Sequence, residues 1–156
     1  DDDGTSWQLG NNLGGPGGGN ECQAAPAPNG SLVLNMRTRM GYRQFSWSND
    51  DGTSWSDPIT APLAQRKYGG GSCEGSTVML PGSGVLAFST PWAAAGRENL
   101  TVLTSTDSGT TWAPHVNVDP GPSAYSSMQP INATHVYLVY ESRSYGALTG
   151  VILQVA

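Results

Sequence analysis

Glu21 and Arg37 stand 16 residues apart (37 minus 21), and Tyr125 and Glu141 stand 16 apart as well (141 minus 125), each pair with a turn signal midway. In an antiparallel hairpin the start of one strand and the end of the next are neighbours on one rim. Both pairs are therefore expected at one mouth of the fold. A guanidinium there could grip a carboxylate through two parallel hydrogen bonds and keep its charge at any working pH. A phenol, with an unperturbed pKa of about 10, could attack an electrophile only with a base beside it. Taken singly, each residue also has an ordinary reading: Arg37 as a solvated surface charge, Tyr125 as a packing residue in a Ser/Pro-rich loop, Glu21 and Glu141 as strand-end charges.

The elements that would position these side chains are short strands. The chain has 156 residues with 21 Gly, 11 Pro, five Trp, six Tyr and only 12% charged residues, a composition that favours strands and tight turns over helices. A turn motif, Ser48-Asn49-Asp50-Asp51-Gly52-Thr53-Ser54-Trp55, recurs as Ser105-Thr106-Asp107-Ser108-Gly109-Thr110-Thr111-Trp112, with a clipped copy at Asp2-Asp3-Gly4-Thr5-Ser6-Trp7. Its tryptophans are 48 (55 minus 7) and 57 (112 minus 55) residues apart, the range of one four-stranded propeller blade. In such a turn Asp bonds backbone N–H groups two residues on, Gly supplies a positive φ and Trp packs as an anchor. Strands are expected over 21–27, 32–37 and 42–48, over 75–80, 85–89 and 99–105, and over 125–130, 136–141 and 150–155. The expected organisation is one domain: a remnant of a preceding blade and loop over 1–18, then blades over 19–58, 70–115 and 122–156.

Charge and cysteine usage exclude several functions. The net charge is −5 with only seven Lys plus Arg, too few to neutralise a phosphate backbone, so nucleic acid is not an expected partner. No run of about 18 apolar residues is present to span a bilayer, and the opening Asp1-Asp2-Asp3-Gly4 is unlike a signal peptide. Cys22 and Cys73 form one conceivable disulfide pair, left open by the sequence. Sequons at Asn29, Asn99 and Asn132 lean towards a secreted or lysosome-like compartment. His115 and His135 lack partners at metal-ligand spacing, so no metal is expected. The glycines of residues 14–19 have no flanking strand and helix to cradle a phosphate, and no cofactor is expected.

The motifs taken together resemble the sialidase (neuraminidase) family. The turn motifs are similar to its Asp boxes. Glu21-Cys22-Gln23 followed by Leu34-Asn35-Met36-Arg37 resembles its base segment and second arginine, and Arg97-Glu98-Asn99-Leu100-Thr101 the segment of its third arginine. Pro120-Gly121-Pro122-Ser123-Ala124-Tyr125-Ser126-Ser127-Met128 resembles the nucleophile segment, and Tyr137-Leu138-Val139-Tyr140-Glu141 the strand of a supporting glutamate. The Pro-Gly-Pro-Ser lead-in and the Asn-Leu-Thr segment look most like lysosomal-type animal sialidases. The resemblance implies an all-β fold, the carboxyl-terminal half of a six-bladed β-propeller with about three four-stranded antiparallel blades.

It also implies an exo-α-sialidase, a glycoside hydrolase acting on sialylated glycoproteins, glycolipids or oligosaccharides. Sialic acid bears a carboxylate on its anomeric carbon, which an attacking carboxylate would meet with repulsion. A neutral tyrosine avoids this, and sialidases are the tyrosine exception among glycosidases. The implied roles are Tyr125 as nucleophile, Glu21 as its general base, Arg37 and Arg97 as two members of a three-arginine carboxylate clamp, and Glu141 as the support that accepts bonds from a clamp arginine. The family pattern also needs an acid/base aspartate and a first arginine, which have no match here. The expected consequences are an inactive isolated chain and pairing with an amino-terminal half or self-association. The rival expectations are a non-catalytic propeller binding glycans or proteins, with the candidate residues scattered, and a pseudoenzyme that binds sialic acid without turnover.

Overall fold

The computed structural model describes residues 3–13, 18–60, 73–93 and 96–156. Asp1 and Asp2 of the clipped motif, most of the glycine stretch and the expected start of a blade at 70–72 lie outside the described residues. The described residues contain strands and turns and no helix. No helix among them is long and apolar enough to cross a membrane.

Four strands, β1 (Gly19–Pro26), β2 (Leu32–Thr38), β3 (Arg43–Ser48) and β4 (Ile59–Thr60), form one antiparallel sheet in chain order. Six more form a second sheet in the order β10-β9-β8-β7-β6-β5: β5 (Ser76–Met79), β6 (Leu86–Pro91), β7 (Glu98–Ser105), β8 (Ala113–Pro130), β9 (His135–Ser142) and β10 (Ala147–Gln154). The 18-residue β8 spans what the sequence suggests is a loop between two blades. Its first part pairs with β7 as far as Pro122, opposite Glu98; from Ser123, opposite Ser142, it pairs with β9. Pro120 and Pro122 lack an N–H to give a ladder, and they stand where the strand changes partner, so a sequence that reads as a break is here a bend.

The two complete turn motifs are built alike. Ser105 Oγ donates to Asp107 Oδ1 (2.7 Å) and accepts from Gly109 N (2.9 Å), while Asp107 accepts from Thr111 N (2.8 Å) and Thr111 Oγ1 (2.6 Å). Ser48, Asp50, Gly52 and Ser54 repeat the pattern, with Ser54 N to Asp50 Oδ1 at 2.8 Å. Gly52 and Gly109 have φ of 87° and 86°, which a side chain resists. The tryptophans differ: Trp112 is buried, whereas Trp7 is 88% exposed and its indole N–H donates to Gly4 O at 3.0 Å. The clipped copy therefore closes its turn without the anchoring expected of the ring.

Strand alternation sends β6 side chains into two cores. Leu86 and Phe88 join Val33, Phe45, Leu103 and Trp112 between the sheets; Ala87 faces the other way with Leu100, Val102, Met128, Val136 and Leu138. Phe45 stacks on Trp112 with centroids 5.4 Å apart and meets Phe88 edge-on at 5.9 Å, geometries favoured by ring quadrupoles. The fully buried Arg43 lies over the Phe88 ring at 5.2 Å, donates to Asn35 Oδ1 at 2.8 Å and also to the Cys73 carbonyl. A charge this deep is tolerated only when hydrogen-bonded, and its bonds join the first sheet to the segment entering β5.

Side chains also link strands that share no ladder. Gln23 Oε1 of β1 accepts from Thr77 N of β5 (2.7 Å), and Ser76 Oγ of β5 accepts from Met128 N of β8 (3.0 Å). This sets β1, β5 and the second half of β8 side by side, with their starting residues at one rim. Gly75 sits at that junction, where an added Cβ would lie 2.6 Å from Ser89 O and 2.7 Å from the Phe88 ring. Gly75→Ala should therefore lower stability by about 1–3 kcal/mol, the usual size of an overpacking penalty; equilibrium urea unfolding would show it as a reduced midpoint.

Candidate active site

Glu21 heads β1 at a β-bulge. Asn20 pairs with Arg37 and Cys22 with Met36, leaving Glu21 as the extra residue with φ of 38°. Bulges re-aim side chains, and this one swings the carboxylate over the end of β2. There Arg37 Nη1 donates to Glu21 Oε2 at 2.5 Å. Tyr125 lies in a second irregularity, between Ser123 and Ser126 of β8, and its hydroxyl donates to Glu21 Oε1. Arg37 Nη1 is also 3.4 Å from the Tyr125 hydroxyl. Arg97, just before β7 and a bulge at Asn99, holds its guanidinium 5.2 Å above the Tyr125 ring centroid.

Of the five residues singled out in the sequence, three, Glu21, Arg37 and Arg97, thus meet around the side chain of a fourth, Tyr125. Glu141 meets them differently from expectation. Its carboxylate accepts from the Tyr125 backbone N–H at 3.1 Å, and no bond to Arg37 or Arg97 is found for it among the described residues. The bulge in β8 turns that amide towards β9, so Glu141 fixes the backbone that carries the phenol. Arg97 instead donates to the Tyr145 hydroxyl at 2.9 Å.

Two further residues belong to the cluster. Glu74, held next to the Arg43-bound Cys73, accepts from Ser126 N at 3.0 Å and lines a cleft of about 260 Å³ with Tyr125, Glu141 and Leu148. The signal for it was available: it stands two residues before β5, and Glu21 likewise lies near the start of β1. Tyr145 left no such signal, because it sits in a hairpin turn where aromatic residues are unremarkable. Cys22 is exposed, Cys73 is buried and both are free thiols, which answers the pairing question. Among the described residues no group of three or more His, Cys, Asp and Glu side chains is placed to hold a metal ion.

The charges around the phenol tune it. Burial alone would raise the Glu21 pKa, but the hydrogen bonds from Tyr125 and Arg37 and the arginine charges outweigh it and hold the carboxyl below its ordinary value. Tyr125 is shifted upward, first by donating to the Glu21 carboxylate and then by burial. Burial pushes Glu74 upward too, in part offset by the Ser126 N–H. The arrangement is a neutral phenol on an ionised carboxylate, with two guanidiniums against it.

Residues 1–138 match the family model described as the BNR repeat-like domain. A sialidase of Bacteroides fragilis is 31% identical over 132 residues, covering 78% of this chain and 24% of the relative. The chain belongs to the sialidase family, through its BNR repeat-like domain. Among solved sialidases, the Hadza microbial sialidase Hz136 superimposes with a TM-score of 0.67 at 29% identity, over 85% of this chain and 27% of that one. The intramolecular trans-sialidase of Ruminococcus gnavus superimposes with a TM-score of 0.77 over 99% of this chain and 36% of its own; at 22% identity it speaks for the β-propeller-like fold alone. The chain therefore spans between a quarter and about a third of the length of these sialidases.

The shift on Tyr125 gives a direct test of the contact. With Glu21 ionised alongside, phenolate formation should need a higher pH than the ordinary value of about 10, and Glu21→Gln should move the midpoint down by removing the negative charge. Absorbance at the phenolate band, taken as the difference from Tyr125→Phe, isolates this tyrosine from the others. An unchanged midpoint in Glu21→Gln would mean that the two groups do not interact.

Proposed function

We propose that this chain supplies the nucleophile and two carboxylate-binding arginines of a retaining exo-α-sialidase. The observation that carries the reading is the hydrogen bond from the Tyr125 hydroxyl to Glu21, residues 104 positions apart, with both guanidiniums against the same tyrosine. A non-catalytic propeller has no need to gather these four side chains.

In the proposed reaction the sialic acid carboxylate binds Arg37 and Arg97. The phenolic oxygen bonds to the anomeric carbon as the glycosidic bond breaks, and the phenolic proton passes to Glu21. This gives a covalent sialyl–Tyr125 intermediate, an aryl ketoside joined through the phenolic oxygen. Water then attacks the same carbon from the vacated side, giving up a proton to the group that had protonated the leaving oxygen, Tyr125 leaves with a proton returned from Glu21, and configuration is retained overall. The raised pKa of Tyr125 favours this order, since the phenol stays neutral until the proton transfers. The leaving oxygen needs its own proton, which we assign to an aspartate in an amino-terminal part of the protein, together with a third arginine. We assign the same part to completing a six-bladed propeller. The exposed Leu148 (76%) and Ile152 (64%) on the outermost strand β10 support a neighbour there. The substrates are sialylated glycoproteins, glycolipids or oligosaccharides, and the Pro120–Ser123 lead-in supports a place near the lysosomal-type animal enzymes.

A fluorogenic α-sialoside tests the reading on the full-length protein. Glu21→Gln should lower kcat ~10²–10⁴-fold, the typical worth of a proton-transfer group, and Tyr125→Phe should abolish trapping of a covalent intermediate by a fluorinated sialoside. Full activity in Tyr125→Phe would remove the proposal.

A further inference from the structure

Arg37 and Arg97 are held in unlike ways. Arg37 is neutralised by Glu21 at 2.5 Å. Arg97 has no carboxylate within ion-pair distance among the described residues, and its contacts are the neutral Tyr125 ring and the neutral Tyr145 hydroxyl. Its positive charge is therefore left for a ligand, while two uncharged groups fix where it points.

The backbone that brings Tyr145 to it is strained. Arg143, Ser144 and Tyr145 have φ of 52°, 53° and 71°, three successive non-glycine residues in the left-handed region. Such residues ordinarily occur one at a time. The following Gly146 closes the turn by donating to Arg143 O at 3.1 Å, and Ala147 pairs with Ser142. A hairpin with a simple Asn-Gly turn would join these strands without strain. Strain of this kind gathers at ligand-binding sites. Here it coincides with a 61% exposed tyrosine whose hydroxyl caps the one clamp arginine without a carboxylate. Tyr145, Arg97 and Glu141 also line one cleft of about 260 Å³ with Pro122, Ser123 and Ser144.

We infer that Tyr145 is a positioning residue for carboxylate binding: it holds Arg97 over the Tyr125 ring with its charge uncompensated, so that the guanidinium meets an anionic sugar already oriented. A hydroxyl suits this task because a carboxylate in its place would neutralise the arginine and compete with the substrate. The inference rests on the sialidase reading for its substrate, though the tether itself does not.

Tyr145→Phe keeps the ring and removes the hydroxyl. In the full-length protein it should raise KM for the fluorogenic sialoside roughly threefold to tenfold, the worth of one ordinary hydrogen bond, with kcat and thermal midpoint little changed. In an Arg97→Ala background the same substitution should add nothing, whereas a merely structural role would add its effect in both backgrounds. Independently of turnover, side-chain ¹⁵N spectra assigned with Arg97→Lys should show hindered rotation of the Arg97 guanidinium in the wild type and averaging in Tyr145→Phe. Unchanged KM, additive effects or identical Arg97 spectra would each overturn the inference. A wild-type protein that leaves the sialoside intact would overturn the sialidase reading, and the spectra would still decide for or against the tether.

Discussion

The hydrogen bond between Tyr125 and Glu21 joins the second half of β8 to the head of β1, the two inner strands farthest apart in the chain. It can form only if β5 lies between them as it does, tied to β1 through Gln23 and to β8 through Ser76. That spacing depends in turn on a packed middle: Phe45, Phe88 and Trp112 on one face of the β6–β7 strands, Leu100, Val102 and Leu138 on the other. The buried Arg43 adds a polar link from β3 to the Cys73 carbonyl. Two cores and one internal cation therefore serve to hold three strand starts at a common rim.

Electrostatics at that rim follow from which side chains are paired. One carboxylate, Glu21, receives both a phenol and a guanidinium; a second, Glu141, receives a backbone amide; a third, Glu74, receives another amide and is pushed towards its neutral form by burial. Three carboxyl groups this close would repel each other and any anionic ligand if all were ionised and unbonded. Pairing Glu21 with Arg37 and pushing Glu74 towards its neutral form by burial limits the negative charge around Arg97, in a chain whose net charge is −5.

Much of this was legible in the sequence because it rests on periodicity and turn chemistry. Hairpins with Pro-Asn-Gly or Pro-Gly signals fell where the strands fold back, and the Asp-Gly-Trp repeat marked turns whose hydrogen bonds are local. The equal spacing of Glu21 with Arg37 and of Tyr125 with Glu141 pointed to one rim because hairpin geometry fixes it. What escaped depends on irregularity. Nothing in the Glu21 side chain announces a left-handed backbone, and no glycine flags either bulge. Pro120 and Pro122 read as a break, yet a strand may pass through such residues where it exchanges one partner for another; the reading lacked the pairing, which is non-local. The bond from the Tyr125 amide to Glu141 escaped for the same reason, since the direction of that amide is set by a register shift.

An inserted residue can be taken out again. Glu21 is the one position of β1 that occupies no rung of the ladder with β2, so deleting its codon would leave the pairing of Cys22 to Pro26 with Met36 to Leu32 intact. Chemistry and scaffold are thus separable at a single site: losing this one residue would take the carboxylate away from both the Tyr125 hydroxyl and Arg37 while the strand ladder beneath them stays paired.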